Sequence, residues 1–247
     1  MTLRVAALGD STSCGEGVGL RVPLEGTWPA RLAAALPDAE LLPLAVAGCR
    51  VRALREHQLP AALAAEPHLA TVLIGLNDVA RGAYDPAAVG EHLRAVVRAL
   101  RRAGTTVLLG RLHDPAQHLV LPPPLRRVAS VRTAAVNRAV DAAAEEARRG
   151  DGGDVLVLDL ARVPALRLRR AWAVDRVHPT AAAHGLIAAA AARVLADAGW
   201  PVGRVPPAPL PPAPGRLAEA WWAGRHGLPW AAANLRDLAA PVVAAAR

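Results

Sequence analysis

Lysine and phenylalanine are absent from this 247-residue chain, which also has only one tyrosine, one methionine and two cysteines. All 29 basic residues are therefore arginine, against 21 acidic ones, giving a formal net charge of +8. The arginines are spread along the chain, with no basic tail and no basic stretch interleaved with aromatics. A nucleic-acid partner is not expected. Two cysteines cannot staple a chain this long, and neither CxxC nor a Cys/His ligand spacing occurs, so no metal site and no cofactor are expected. Long apolar runs are lacking too. The most apolar one, Gly185 to Ala192, ends at Arg193 and is too short to span a membrane. The opening Met1–Asp10 turns polar too soon for a signal peptide. The expectation is a cytoplasmic protein with a small-molecule substrate.

Against those absences stands a 53% hydrophobic content, enough for one α/β domain with a real core. Five short runs, Leu3–Leu8, Leu41–Val46, Ala70–Ile74, Thr105–Leu109 and Asp154–Leu160, are near-continuously apolar, as parallel strands buried on both faces are. Between them lie segments with helical spacing, Trp28–Leu36, Arg50–Ala65, Pro86–Ala103 and Leu125–Arg149, and Ala181–Ala198 follows the last. The alternation predicts a flavodoxin-like three-layer α/β/α sandwich on a five-stranded parallel sheet of order 2-1-3-4-5. The expected organisation is a domain over 1–199, a Pro-rich linker over 200–216 and a helical extension over 217–247 that docks on its own domain or mediates an oligomer contact. In that extension Leu217, Trp221, His226, Leu228, Trp230 and Leu235 fall near one helical face, expected to pack over an outer helix of the domain.

In such sheets ligands bind at the carboxyl ends of the strands. The first of those loops reads Gly9-Asp10-Ser11-Thr12-Ser13-Cys14-Gly15-Glu16-Gly17. A serine there has its hydroxyl at the sheet edge and its own N–H among the unpaired amides of a helix start, which suits a nucleophile beside half an oxyanion hole. An N-cap serine or a phosphate cradle are the alternatives, although the pattern is neither of the common phosphate-loop signatures nor a G-x-S-x-G elbow. The third strand runs into Gly75-Leu76-Asn77-Asp78, where an Asn amide can aim a donor at a developing oxyanion or simply make a turn. After the fifth strand comes Asp175-Arg176-Val177-His178. Asp and His three apart in a turn can put the carboxylate on Nδ1 and leave Nε2 free to take a proton from serine.

Taken together, these blocks resemble the SGNH (GDSL-type) hydrolases: Gly9-Asp10-Ser11, Gly48 after the second strand, Gly75-Leu76-Asn77-Asp78 and Asp175-Arg176-Val177-His178, in order, over Thr2 to about Gly199. The resemblance implies Ser11 as nucleophile, His178 as general base oriented by Asp175, and an oxyanion hole of the Ser11 N–H, the Gly48 N–H and the Asn77 side chain. It implies a serine hydrolase cleaving a carboxylic ester of a small or medium acyl substrate through an acyl-Ser11 intermediate, without metal or cofactor. Acyl transfer, thioester cleavage or deacetylation could use the same groups. A non-catalytic phosphate- or nucleotide-binding module is the remote alternative. Two features depart from common members. The polar residue often found before the second-block glycine is missing from Pro43–Ala47, which leaves open what tethers the Gly48 loop, and Cys49 follows Gly48 directly.

Cys14 and Cys49 are expected as buried free thiols that approach the cleft. His113-Asp114 is expected in a loop that could line the pocket, and His184 in the last helix. Arg162, Arg167, Arg169, Arg170 and Arg176 crowd the segment before His178, either as a solvated face or as a grip on an acidic substrate group.

Overall fold

The structure, a computed structural model, describes residues 2–150, 152–206 and 208–233. Five parallel strands form the main sheet: β1 (Leu3–Gly9), β4 (Ala39–Pro43), β5 (Leu69–Leu73), β6 (Thr106–Arg111) and β7 (Val155–Asp159). Every residue of β5 is buried, whereas the residues of β4 are half-buried or exposed, as at a sheet edge. Two further strands, β2 (Glu16–Gly17) and β3 (Leu20–Arg21), make a separate antiparallel hairpin. The sheet order is β4-β1-β5-β6-β7. In chain numbering it differs from the expected 2-1-3-4-5, because the hairpin takes two places between the first and second sheet strands. Nothing in the sequence announces so short a ribbon. The second sheet strand also ends at Pro43, short of the expected Val46, which is exposed.

The helices α2 (Trp28–Ala33), α3 (Val51–Ala53), α4 (Leu59–Ala64), α6 (Pro86–Arg102), α7 (Pro123–Arg148) and α8 (Ala181–Asp197) fall within or close to the expected segments, and two short ones, α1 (Ser11–Cys14) and α5 (Leu76–Ala80), add to them at the ends of β1 and β5. Helix α6 shows why. Asp85 accepts hydrogen bonds from the Ala87 and Ala88 amides, Pro86 fits the first turn, and Val89, Leu93, Val96, Val97 and Leu100 line one buried face. Helices α2 and α8 pack together on one face of the sheet, and α6 lies along α7 on the other. The expected Arg50–Ala65 helix is broken into α3, a π-turn over Leu54–Gln58, and α4. Pro60 has no N–H, and its ring crowds the carbonyl four residues earlier. The chain widens to a Leu59 N–H to Leu54 C=O bond instead.

The Pro-rich segment after Trp200 lies against the body rather than free of it. The Gly203 amide donates to Ala35 C=O at 2.6 Å, and Val205 is buried. Beyond it come α9 (Arg216–Trp222), a π-turn over Ala223–Gly227 and α10 (Leu228–Ala233). The contacts of this segment fall on the β2–β3 hairpin and the loop before His178, where an outer helix was expected, because its polar Glu219, Trp222 and His226 face inward. Of the residues that spacing places on one packed face, His226 does face inward, whereas Leu217, Trp221, Leu228 and Trp230 are exposed. Leu235, placed on the same face, lies outside the described residues. Among the described residues no helix is long and apolar enough to cross a membrane.

Candidate active site

The carboxyl edge of the sheet collects the chemistry-bearing residues. Strand β1 delivers Asp10 and Ser11 straight into the single turn of α1. The Asp10 carboxylate caps that turn, accepting from the Thr12 amide at 3.0 Å. Its other oxygen accepts from Asn77 Nδ2 at 3.3 Å. Burial pushes the Asp10 carboxyl up to about 6, against the opposing pull of these hydrogen bonds and of nearby His178. Ser11 is buried, and among the described residues neither its amide nor its hydroxyl has a protein hydrogen-bond partner.

Gly48 sits in a turn closed by the Cys49 amide on Val46 C=O at 3.1 Å, with φ of 75°. A Cβ there would meet nothing, so the demand for glycine is conformational. The loop is tethered by Asn77 and by Gln58, which sequence reading did not single out. Gln58 stands on the π-turn, its Oε1 accepting from the Gly9 amide at 2.8 Å and its Nε2 donating to Gly9 C=O at 2.9 Å. The same Nε2 donates to Cys49 Sγ at 3.2 Å. Asn77 Nδ2 donates to Cys49 C=O at 3.1 Å, on the opposite side of the loop. Both amide hydrogens of Asn77 are thus engaged, one by Cys49 and one, over a longer distance, by Asp10. Asp78 accepts from the Val51 amide at 3.1 Å and so caps the start of α3, and burial pushes its carboxyl up to about 6. The sequence offers one signal for Gln58, a lone amide four residues after buried Leu54 on the core-facing side.

Asp175 and His178 meet through Oδ2 and Nδ1 in a hydrogen bond. The other Asp175 oxygen accepts from the Val177 and His178 amides at 3.0 and 3.1 Å. Burial alone would raise the Asp175 carboxyl, but the bond from His178, its charge and the two amides hold it below the ordinary range. His178 and Ser11 line one cavity of about 230 Å³, walled by Gly17, Leu20, Arg21 and Val22 of the hairpin and by Thr180, Ala181 and His184 at the start of α8. His184 does lie in the last helix. Its Nδ1 accepts from the Trp28 amide at 3.1 Å, and burial pushes it down to about 3, so it is neutral.

His113 lies in the core, stacked on Trp172 with ring centroids 3.9 Å apart, and does not line this cavity. Asp114 accepts from Ser130 Oγ at 2.6 Å. The cysteines are half-buried free thiols rather than fully buried ones, and burial first, then the Asp10 and Asp78 charges, pushes the Cys49 thiol up to about 11. The arginines before His178 divide. Arg162 is exposed and pairs with Asp159, while Arg169 and Arg176 turn their forks on Glu219. Among the described residues no cluster of His, Cys, Asp or Glu could hold a metal ion.

The profile of the GDSL-like lipase/acylhydrolase family matches residues 7–186. The chain is 33% identical over 135 residues to the GDSL-like esterase Rv1075c of Mycobacterium tuberculosis, a match that spans 53% of this chain and 41% of that protein's own length. The fold superposes on the crystal structure of TesA with a TM-score of 0.59 at 23% identity, covering 78% of this chain and 97% of TesA. A variant of Axe2, an acetyl xylan esterase from Geobacillus stearothermophilus, gives 0.59 at 23% identity, covering 78% and 94% of the two chains.

Proposed function

The chain belongs to the GDSL-like lipase/acylhydrolase family, and from that premise we propose that it is an esterase that hydrolyses a carboxylic ester through an acyl-Ser11 intermediate. The observation that carries this reading is the His178 imidazole, bound through Nδ1 by buried Asp175 and sharing one cavity with Ser11. The carboxylate selects the tautomer whose Nε2 accepts a proton. Ser11 Oγ attacks the ester carbonyl as Nε2 takes its proton, and the carbonyl oxygen becomes an oxyanion. Its donors are the Ser11 and Gly48 amides, neither of which has an acceptor among the described residues, and Asn77 Nδ2. Asn77 gives up its longer bond, to Asp10, when the oxyanion forms. The intermediate then collapses, the alcohol leaves with the proton from Nε2, and water hydrolyses the acyl-enzyme by the same steps in reverse order.

A cavity of about 230 Å³ with Leu20, Val22 and Ala181 in its walls favours a short acyl group. In this reading the hydrolase unit spans 1–199, 200–216 links it to the segment over 217–247, and the protein works in the cytoplasm. Turnover of p-nitrophenyl esters of graded chain length tests the activity. The wild type should prefer acetate to butyrate over octanoate, and Ser11→Ala should be inert towards all of them. Turnover retained in Ser11→Ala would contradict the mechanism. Faster release of p-nitrophenol in the presence of an added alcohol, with a new ester formed, would mark acyl transfer instead.

A further inference from the structure

We propose that Glu219 and Trp222, on the C-terminal segment, are positioning residues of the active site that hold the two walls flanking the His178 imidazole. The proposal rests on the esterase reading above.

The first wall is the β2–β3 hairpin. A Cβ on Gly17 would fall 2.7 Å from His178 Nδ1, so the hairpin backbone lies directly against the ring. With two residues in each strand, the hairpin cannot hold its own shape. Its tip is held from outside. Val18 C=O accepts from Trp222 Nε1 at 3.0 Å, and Gly19 packs so closely on the His226 ring that a Cβ would come within 2.8 Å.

The second wall is the loop that carries Asp175 and His178. Between them Arg176 adopts a φ of 64°, a left-handed conformation that is strained for a non-glycine residue and persists only where surroundings impose it. Arg176 Nη1 donates to His118 C=O at 3.2 Å, and its Nη2 donates to Glu219 Oε2 at 2.6 Å. Glu219 Oε1 accepts from Arg169 Nε at 3.1 Å and from Nη2 at 2.5 Å. Arg169 in turn binds Trp172 C=O at 2.7 Å and Ala173 C=O at 3.0 Å. One carboxylate therefore ties both ends of the loop over 169–176. The Arg176 hydrogen bond, and then that from Arg169, hold the Glu219 carboxyl below its ordinary range, so it is charged near neutrality.

Residues 219, 222 and 226 share one helical face, and the opposite face, with Leu217, Trp221 and Leu228, is exposed. The seat of the segment is thus built from directed polar contacts to the two walls of the site, not from burial of its apolar side chains. Contacts of that kind set geometry more than they set stability.

The test uses the full chain with p-nitrophenyl acetate, each variant held well below its melting temperature. Glu219→Ala should lower kcat about tenfold, the scale of a sub-ångström misplacement of the base, with KM within about twofold. Glu219→Asp should recover part of the loss. Trp222→Phe, which keeps an aromatic ring but loses the indole N–H together with the fused five-membered ring, should lower kcat a few-fold. If Glu219→Ala does not fold, Glu219→Gln removes the charge at nearly constant shape and is read in the same way. A change confined to Tm or KM, with kcat intact, would overturn the proposal. A wild type that turns over no ester would defeat the esterase reading instead. In that event the downfield proton resonance of His178 Nδ1 still decides positioning: it should broaden or vanish in Glu219→Ala, and its persistence unchanged would overturn the proposal.

Discussion

Ser11 and His178 line the same cavity, but the two ends of the site are supported differently. Ser11 follows β1, which lies between β4 and β5 and is buried along most of its length. Gln58 clasps the last residue of that strand through both its N–H and its C=O. His178 follows the edge strand β7 at the end of a run of short 3-10 turns, Leu160–Arg162, Pro164–Arg167 and Arg169–Ala171. Its support comes from the six-residue hairpin Glu16–Arg21 and from charged contacts to a segment some 40 residues later in the chain. The nucleophile's end is set by an interior strand of the sheet and the Gln58 clasp, and the base's end by a small hairpin and charged contacts from outside the sheet. The two carboxylates carry the same contrast. Burial wins at Asp10 and pushes it up to about 6, whereas hydrogen bonds win at Asp175 and pull it down.

The largest expected effect breaks the base's end. Asp175→Asn should lower kcat by roughly 10³- to 10⁴-fold, because the amide favours the wrong imidazole tautomer, while circular dichroism and Tm show an intact fold. Next, Asn77→Ala should lower kcat by about 10²- to 10³-fold with little change in KM, since its donor binds the oxyanion more strongly than the ester carbonyl. An effect on KM alone would leave Asn77 as a tether of Cys49 and nothing more.

The two ends differed in how much the sequence disclosed. Parallel strands buried on both faces leave unbroken apolar runs, and their carboxyl ends share one edge. Ser11, Asn77, Asp175 and His178 could therefore be nominated together, and the family resemblance added Gly48. Gln58 could not, because its partner Gly9 lies 49 residues away and the π-turn that aims it arises from Pro60 crowding a helix. The hairpin carries no alternating pattern over two-residue strands, so Gly15, Gly17 and Gly19 suggest a phosphate loop when in fact Gly17 makes room for a ring. Glu219 sits among exposed residues of a Pro-flanked tail. Only the folded loop over 169–176 shows that its two oxygens meet Arg169 and Arg176.

A smaller effect sharpens the contrast between the carboxylates. Across pH 4 to 6, native Asp10 holds a proton that the unfolded chain has lost, so its contribution to stability falls as pH rises. His113 and His184, pushed down to about 3, act oppositely: the unfolded chain binds the protons, and stability rises with pH up to about 6.5. Asp10→Asn removes one opposing contribution, and urea titrations should show stability rising more steeply from pH 4 to 6, by about 2 kcal/mol. A smaller effect still is at Gly17. Gly17→Ala pushes a methyl into the His178 ring and should lower kcat by about tenfold while Tm moves only slightly.

The central claim, that Ser11 is a nucleophile activated by His178, is tested most directly by mass spectrometry after exposure to an alkyl phosphonate ester. The wild type should gain one adduct, mapped to Ser11 on the peptide that follows β1, His178→Ala should gain it far more slowly, and Ser11→Ala should gain none. An adduct on another residue, or equal labelling of Ser11→Ala, would contradict the account.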